Sequence, residues 1–407
     1  MDILMYIVAI LAIGLVIFML IRKADIKITL FGTGILLLFI AILMGRGFEN
    51  PNILTPFQVV IDDFKSILPR AGFIILILGG YTSYMSSIGA NDVTVYAITK
   101  PLKGIKSAYF LVPIVFLLGN LLSLVVPSAS NLAIILLATL YPVLKRSGMS
   151  TLTAAAVIAT TATVMPTPLG GDNVAIAEEL ARHPEFLGLT TAEYVFRYHA
   201  IISIPTLILM AIVHYFWQKF SDKRDQAKGK KAAEVEVDTS KAVEVEGGGL
   251  YKFVYALLPV FPIILLLFFY FLGSLGGPQV NLSVEMSVII SFILALICEL
   301  IRNGNARKVM RETEGFFNGM GKAFGIVALL VAATVFVDGL KAIGIIAALQ
   351  SAMQNMSSTG FILPLILVLL TALIVILSGS GTALFYAMVP LMYGLATAAG
   401  ISALAVT

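Results

Sequence analysis

Cysteine is almost absent from this chain, and charge is scarce. The lone cysteine, Cys298, excludes an internal disulfide and any cysteine-built metal cage. The three histidines, His183, His199 and His214, are scattered without zinc-ligand spacing, so no metal enzyme is expected. Charged residues make up 12% of the chain, against roughly one quarter in an ordinary soluble domain. The apolar runs lack an HExxH helix, a His-carboxylate pair and a nucleophile with a base in reach, and no Walker-type loop follows a strand. Intramembrane catalysis and ATP-driven transport are therefore disfavoured. No small-residue cleavage site follows the first apolar run, which reads as a retained helix.

What is abundant is apolar surface: 59% of residues are hydrophobic and the mean hydropathy is +0.99. A spanning helix needs about 20 mostly apolar residues, and such runs occur near 3–21, 28–44, 71–88, 197–217, 252–272, 283–301 and 323–340. The expected fold class is an all-α polytopic membrane protein in contact with lipid. Lys and Arg cluster at Arg22, Lys23 and Lys27, at Lys100, Lys103 and Lys106, at Lys145 and Arg146, across 219–231, and at Arg302, Arg307, Lys308 and Arg311. The positive-inside rule assigns these clusters to the cytoplasm, with the N terminus and the uncharged segment 273–283 outside. The net charge of +4 resides in these loops and does not argue for nucleic-acid binding.

Two apolar stretches are broken by small hydroxylated residues, PSASN at 127–131 and SGSGT at 378–382. Residues 108–144 lie between two cytoplasmic clusters and are too few for two complete spans plus a turn, so a re-entrant hairpin entering from the cytoplasm is expected. Residues 361–396 then form a hairpin entering from outside. Sliding the second half over the first aligns Phe64 with Phe316, Ser128 with Ser380 and Gly148 with Gly400, the layout of inverted repeats. The expected organisation is scaffold helices at 1–50, a transport unit at 51–217, a cytoplasmic linker at 218–250, scaffold helices at 251–301 and a second transport unit at 302–407. Thr407 is the counterpart of Ala155, so a partner for residues 150–217 is missing and the second repeat is expected to be truncated or incomplete.

The segment MPTPLGGDN, at 165–173, predicts a helix break followed by a restart. Pro166 and Pro168 remove backbone donors, Gly170 and Gly171 relax the backbone, and Asp172 with Asn173 can cap the new helix. The N-H groups at such a restart suit a carboxylate, and the carbonyls of the preceding half-helix suit a cation. Ser128, Ser130 and Asn131 at the first tip, with Ser378, Ser380 and Thr382 at the second, offer hydroxyl and amide groups, and neither tip contains Arg or Lys. Packing competes with binding for Thr160, Thr161 and Thr163. A plain helix cap competes with a functional role for Asp172. Glu178, Glu179, Arg182 and His183 read as a solvated extracellular face, and Asp338 as reaching the interface.

VVPSASNLAIILLATLYPVL followed by MPTPLGGDNVAIAEEL resembles the anaerobic C4-dicarboxylate carrier family of the DcuC type, within the wider ion transporter superfamily of elevator carriers. The resemblance implies a bacterial inner-membrane secondary carrier for fumarate, succinate or malate that works by alternating access. Coupling to Na+ or H+, or exchange of anions, is expected, with no further cofactor. It implies a site built from Ser128, Ser130, Asn131, Thr167, Gly170, Gly171, Asp172, Asn173, Ser378, Ser380 and Thr382, with a Na+ site near Asn131, Gly171, Asp172 and Asn173. A homodimer through the scaffold helices is expected. The alternative is a Na+/H+ antiporter in which Asp172 titrates.

Overall fold

The computed structural model describes residues 2–407 apart from 105–106, 125, 127–128, 163–165, 228–247, 279, 281, 355–358 and 379–380. Among the described residues there are helices and no strand. In chain order the α-helices are α1 (Asp2–Ile21), α2 (Ile26–Leu43), α3 (Thr55–Ile67), α4 (Phe73–Ser87), α5 (Ala90–Thr99), α6 (Ala108–Ser123), α7 (Ala129–Thr139), α8 (Tyr141–Arg146), α9 (Thr151–Ala159) and α10 (Gly171–Leu180). They continue with α11 (Thr191–Glu193), α12 (Ala200–Ala227), α13 (Gly249–Leu257), α14 (Phe261–Ser274), α15 (Val284–Asn303), α16 (Ala306–Glu312), α17 (Glu314–Ile343), α18 (Ile345–Gln354), α19 (Thr359–Ser378) and α20 (Thr382–Ala398).

Among the described residues, six helical stretches are long and apolar enough to cross a membrane: Ile3–Ile21, Ile26–Leu43, Thr191–Arg224, Gly249–Ser274, Val284–Asn303 and Ala306–Ile343. A pair bent by 73°, Thr55–Ser87 with Ala90–Leu102, supplies a seventh. The chain is thus a multi-pass membrane protein by length and composition. Polar caps set several helix starts, because the first N-H groups of a helix have no partner within it. Asp25 accepts from Lys27 N at 2.9 Å ahead of α2, and Ser150 accepts from Thr153 N at 3.1 Å ahead of α9. Burial alone would raise the Asp25 carboxyl, but the N-H groups of Ile28 and Lys27 outweigh it and hold the group below its ordinary value.

Several boundaries differ from the sequence reading: α9 ends at Ala159, before the end of its apolar run at Val164, and α17 begins at Glu314, well before the span expected from 323. The span expected from residue 71 is preceded by α3 through a π-turn at Leu68–Gly72, where Arg70 leaves helical geometry next to Pro69, which has no N-H to give. Helix α12 runs on to Ala227, so the first residues of the expected linker are helical. Gln218 is buried there because its amide is bonded to Thr153 and His214.

The chain divides into two compact units. One holds Met1–Leu76, Val174–Leu189 and Lys322–Thr407, the other Ile77–Asn173 and Thr190–Gly321. In the first unit, α2 and α17 approach backbone to backbone at small residues. A β-carbon on Gly34 would lie 2.7 Å from Phe336 N, and one on Gly339 would lie 2.7 Å from Leu37 Cβ. In the second unit, α4 meets the start of α17 in the same way, with Gly80 against the Phe316 carbonyl, and Tyr84 packs edge-on against Phe292 of α15 at 5.0 Å. A core of Leu111, Val112, Val115, Leu136, Leu140 and Val157 joins α6, α7 and α9. At the two expected hairpins, α6 precedes PSASN and α7 begins within it at Ala129, while α19 ends at Ser378 and α20 begins at Thr382 of SGSGT.

Candidate functional site at the helix break

In the second unit, the helix that ends with α9 restarts at α10. Helix α9 ends at Ala159, and Gly171 opens α10. Thr167 lies within the gap and is fully buried. Its hydroxyl donates to the Leu124 carbonyl at 3.4 Å and accepts from Leu169 N at 3.2 Å, while its carbonyl accepts from Asn173 Nδ2 at 2.9 Å and Gly170 N at 3.1 Å. The gap is therefore stitched to the end of α6 on one side and to α10 on the other. Without a helical ladder, these side chains satisfy backbone groups that neither water nor lipid would serve.

The end of α9 is braced from two further directions. Asn120 of α6 donates to the Thr160 carbonyl at 3.3 Å, and Gly119 leaves room for Thr161, whose side chain occupies the space a β-carbon would need. From α12, His214 Nε2 lies 3.0 Å from Thr160 Oγ1 and His214 Nδ1 lies 3.2 Å from Gln218 Nε2. Gln218 in turn accepts from Thr153, whose hydroxyl also donates to Asp222 at 2.8 Å, and Ser150 donates to the same carboxylate at 2.8 Å. A cavity of about 430 Å³ lies alongside this ladder, lined by Phe116, Thr160, Met210, His214 and Trp217.

Asp172 stands in the first turn of α10, where its carboxylate accepts from the N-H groups of Asn173 and of itself. That is cap chemistry, and it uses the donors that the break would otherwise present to an incoming anion. The same carboxylate closes over Gly170, which has no room for a side chain, and interacts electrostatically with His199. His199 Nδ1 is buried with no hydrogen-bond partner among the described residues.

The structure brings Thr167, Gly170, Gly171, Asp172 and Asn173 together at the break. Ser128 and Ser380 lie outside the described residues, as do the side chains of Ser130, Asn131 and Ser378, while Ser130 and Asn131 fall in the first turn of α7 and Ser378 ends α19. Thr382 begins α20 and is exposed.

A second polar cluster, in the first unit, escaped the sequence reading. A cavity of about 310 Å³ is lined by Ile13, Glu179, His183, Leu340, Lys341 and Tyr393, among others. Glu179, Arg182 and His183 are half-buried here, not the fully solvated face expected. Arg182 pairs with Glu179 at 3.3 Å, and the His183 ring stacks on Tyr393 at 3.4 Å. Burial pushes the His183 imidazole below its ordinary value, partly offset by Glu179. Helical spacing places Glu179 and His183 on one face, but only the fold turns that face inward.

A family model described as C4-dicarboxylate anaerobic carrier, DcuC, matches residues 1–407. The chain belongs to this family. The anaerobic C4-dicarboxylate transporter DcuC of Escherichia coli K12 is 35% identical over 384 residues, covering 92% of this chain and 78% of that protein. The probable anaerobic C4-dicarboxylate transporter DcuC of Vibrio cholerae serotype O1 is 35% identical over 381 residues, 91% of this chain and 78% of that protein. A putative uncharacterized transporter of Haemophilus influenzae is 30% identical over 156 residues, 38% of this chain and 97% of that protein. DcuC-family proteins are named as transporters, and the family is one of carriers, not enzymes.

Proposed function

We propose that the chain is a secondary carrier of a C4-dicarboxylate such as fumarate, succinate or malate. The observation that carries the substrate class is the 35% identity, over 92% of the chain, to transporters named for these anions. The helix break supports the mechanism, since broken helices buried in protein are where carriers of this kind expose backbone polar groups to solute. One carboxylate of the substrate binds Ser130, Asn131 and the N-H groups at Gly171 and at Gly170, the latter exchanging its bond to the Thr167 carbonyl, with Ser128, Thr167 and Asn173 around it. Ser378, Ser380 and Thr382 offer the hydroxyl groups of the second tip. Because Asp172 already caps α10, a bound anion needs a compensating charge beside it, which Na+ near Asn131, Gly171, Asp172 and Asn173 or a proton on Asp172 would supply.

Alternating access in an elevator arrangement follows from the same reading, with 1–50 and 251–301 as scaffold and 51–217 and 302–407 as transport units. Packing within each unit supports paired repeats: α2 of the first half meets α17 of the second, and α15 of the second meets α4 of the first. On this reading the carrier works as a homodimer in a bacterial inner membrane, with its N terminus outside. Single cysteines at Lys103 and Arg146 label only from the cytoplasm if residues 108–144 re-enter, and cross-linking in native membranes reads the dimer.

Uptake of labelled succinate into liposomes loaded with fumarate tests the function. Exchange is expected with purified protein. Na+/H+ exchange without uptake of any C4-dicarboxylate would replace this reading with the antiporter in which Asp172 titrates, which the named relatives do not favour.

A further inference from the structure

Asp63 occupies a position on α3 where an apolar residue would be expected. With Pro56 and Ile67 it makes up the buried stripe of that amphipathic helix, and it is 8% exposed. Its Oδ2 has no hydrogen-bond donor among the described residues. Its carboxyl instead meets the carboxyl of Asp338 on α17. Two ionised carboxylates are both acceptors, so this contact is repulsive unless a proton or a metal ion lies between them.

The surroundings decide which. Among the described residues, no group of three or more His, Cys, Asp or Glu side chains is arranged to hold a metal. The neighbouring charges are already cations: Lys341, whose Nζ is 3.2 Å from Asp338 Oδ1, and Arg182, which pairs with Glu179 and acts on Asp63 through space. Asp62 and Lys65, on the outer face of α3, are exposed and turned away. Arg46 donates to the Ile343 carbonyl at the end of α17. His183, held neutral by burial and stacked on Tyr393, adds no charge. Asp63, Asp338 and Glu179 thus face Lys341 and Arg182, and a single shared proton makes the cluster neutral. Neutrality is what a buried site favours.

We propose that Asp63 and Asp338 form a proton-binding site, in which one proton is held between the two carboxyls and released to water at the partly exposed Asp338 carboxyl, beside Lys341. On release the carboxyl O-H bond breaks, the proton passes to water, and the uncompensated charge draws on Lys341 and Arg182. The site is independent of the substrate. Its effect on flux rests on the carrier reading above, so occupancy and flux are read separately.

Infrared difference spectra of the purified wild-type protein in lipid test occupancy. A protonated carboxylic acid band at neutral pH, shifted in D2O and lost at alkaline pH, is expected in the wild type. It should be missing in Asp63→Asn and in Asp338→Asn, and retained in Asp62→Asn. No such band in the wild type at any pH, or a band unchanged in both Asp63→Asn and Asp338→Asn, overturns the proposal, and so does a band that added Na+ abolishes. If an Asn variant fails to fold, Asp63→Glu and Asp338→Glu decide instead: the band should move in frequency in both and stay in place in Asp172→Asn, and a band that moves in neither overturns the proposal. In the same preparations, the pH dependence of succinate exchange should flatten in Asp338→Asn. A band that behaves as expected in a protein that exchanges no dicarboxylate leaves the proton site standing and removes the carrier reading.

Discussion

Thr160 Oγ1 and His214 Nε2 lie 3.0 Å apart, fastening the last turn before the helix break to a long helix that begins after it. His214 is held in turn by Gln218 at 3.2 Å, so the imidazole bridges two fixed groups. Thr160→Val and His214→Phe each remove this bond while keeping bulk. Thr160→Val should lower stability by about 1 kcal/mol, the usual net worth of one hydrogen bond, and His214→Phe, which also gives up Gln218, by about 2 kcal/mol. Together they should cost less than the sum, which a double-mutant cycle on thermal or denaturant unfolding measures.

Gly119 and Gly170 are small because neighbouring side chains fill their space. In Gly119→Ala the new methyl meets the Thr161 side chain, and overpacking of this kind costs about 1–3 kcal/mol. Gly119→Ala with Thr161→Gly should recover most of that loss. In Gly170→Ala the methyl meets the Asp172 carboxylate and displaces the cap of α10. Transport should collapse while membrane insertion persists, as read by flux and by expression of a tagged protein.

The first tip is tested by binding. Ser130→Ala or Asn131→Ala should weaken succinate binding by roughly 10- to 100-fold, the loss of one charge-assisted hydrogen bond, measured by calorimetry or by ligand-induced thermal shift. Asp172→Asn should change the pH or Na+ dependence of flux and leave some succinate binding.

His183 carries a pH prediction. Burial lowers its folded pKa below the ordinary 6.5. Its contribution to stability is therefore fully present above 6.5 and is lost as pH falls through the folded value, because the unfolded chain takes up the proton first. His183→Phe keeps the ring stacked on Tyr393 and removes that proton. Melting temperatures on either side of pH 6.5 should fall less for the variant than for the wild type.

The membrane class, most of the spans and the restart of a helix at Gly171 within MPTPLGGDN were legible in the sequence, because each depends on local composition. An apolar run of spanning length must become a helix in lipid, and a Pro-Gly segment must interrupt one, whatever the rest of the chain does. The family was legible too, from PSASN and MPTPLGGDN. Partnership was not. That Thr167 stitches the break to Leu124, that His214 reaches Thr160, and that Asp63 meets Asp338 all depend on helices remote in sequence being packed side by side. The same holds for the inward turn of Glu179 and His183, which read as a solvated face from their charges alone. A side chain's polarity is written in the sequence, whereas the group that satisfies it in a buried site is chosen by tertiary packing, because hydrogen bonds and ion pairs act over a few ångströms and sequence separation carries no distance.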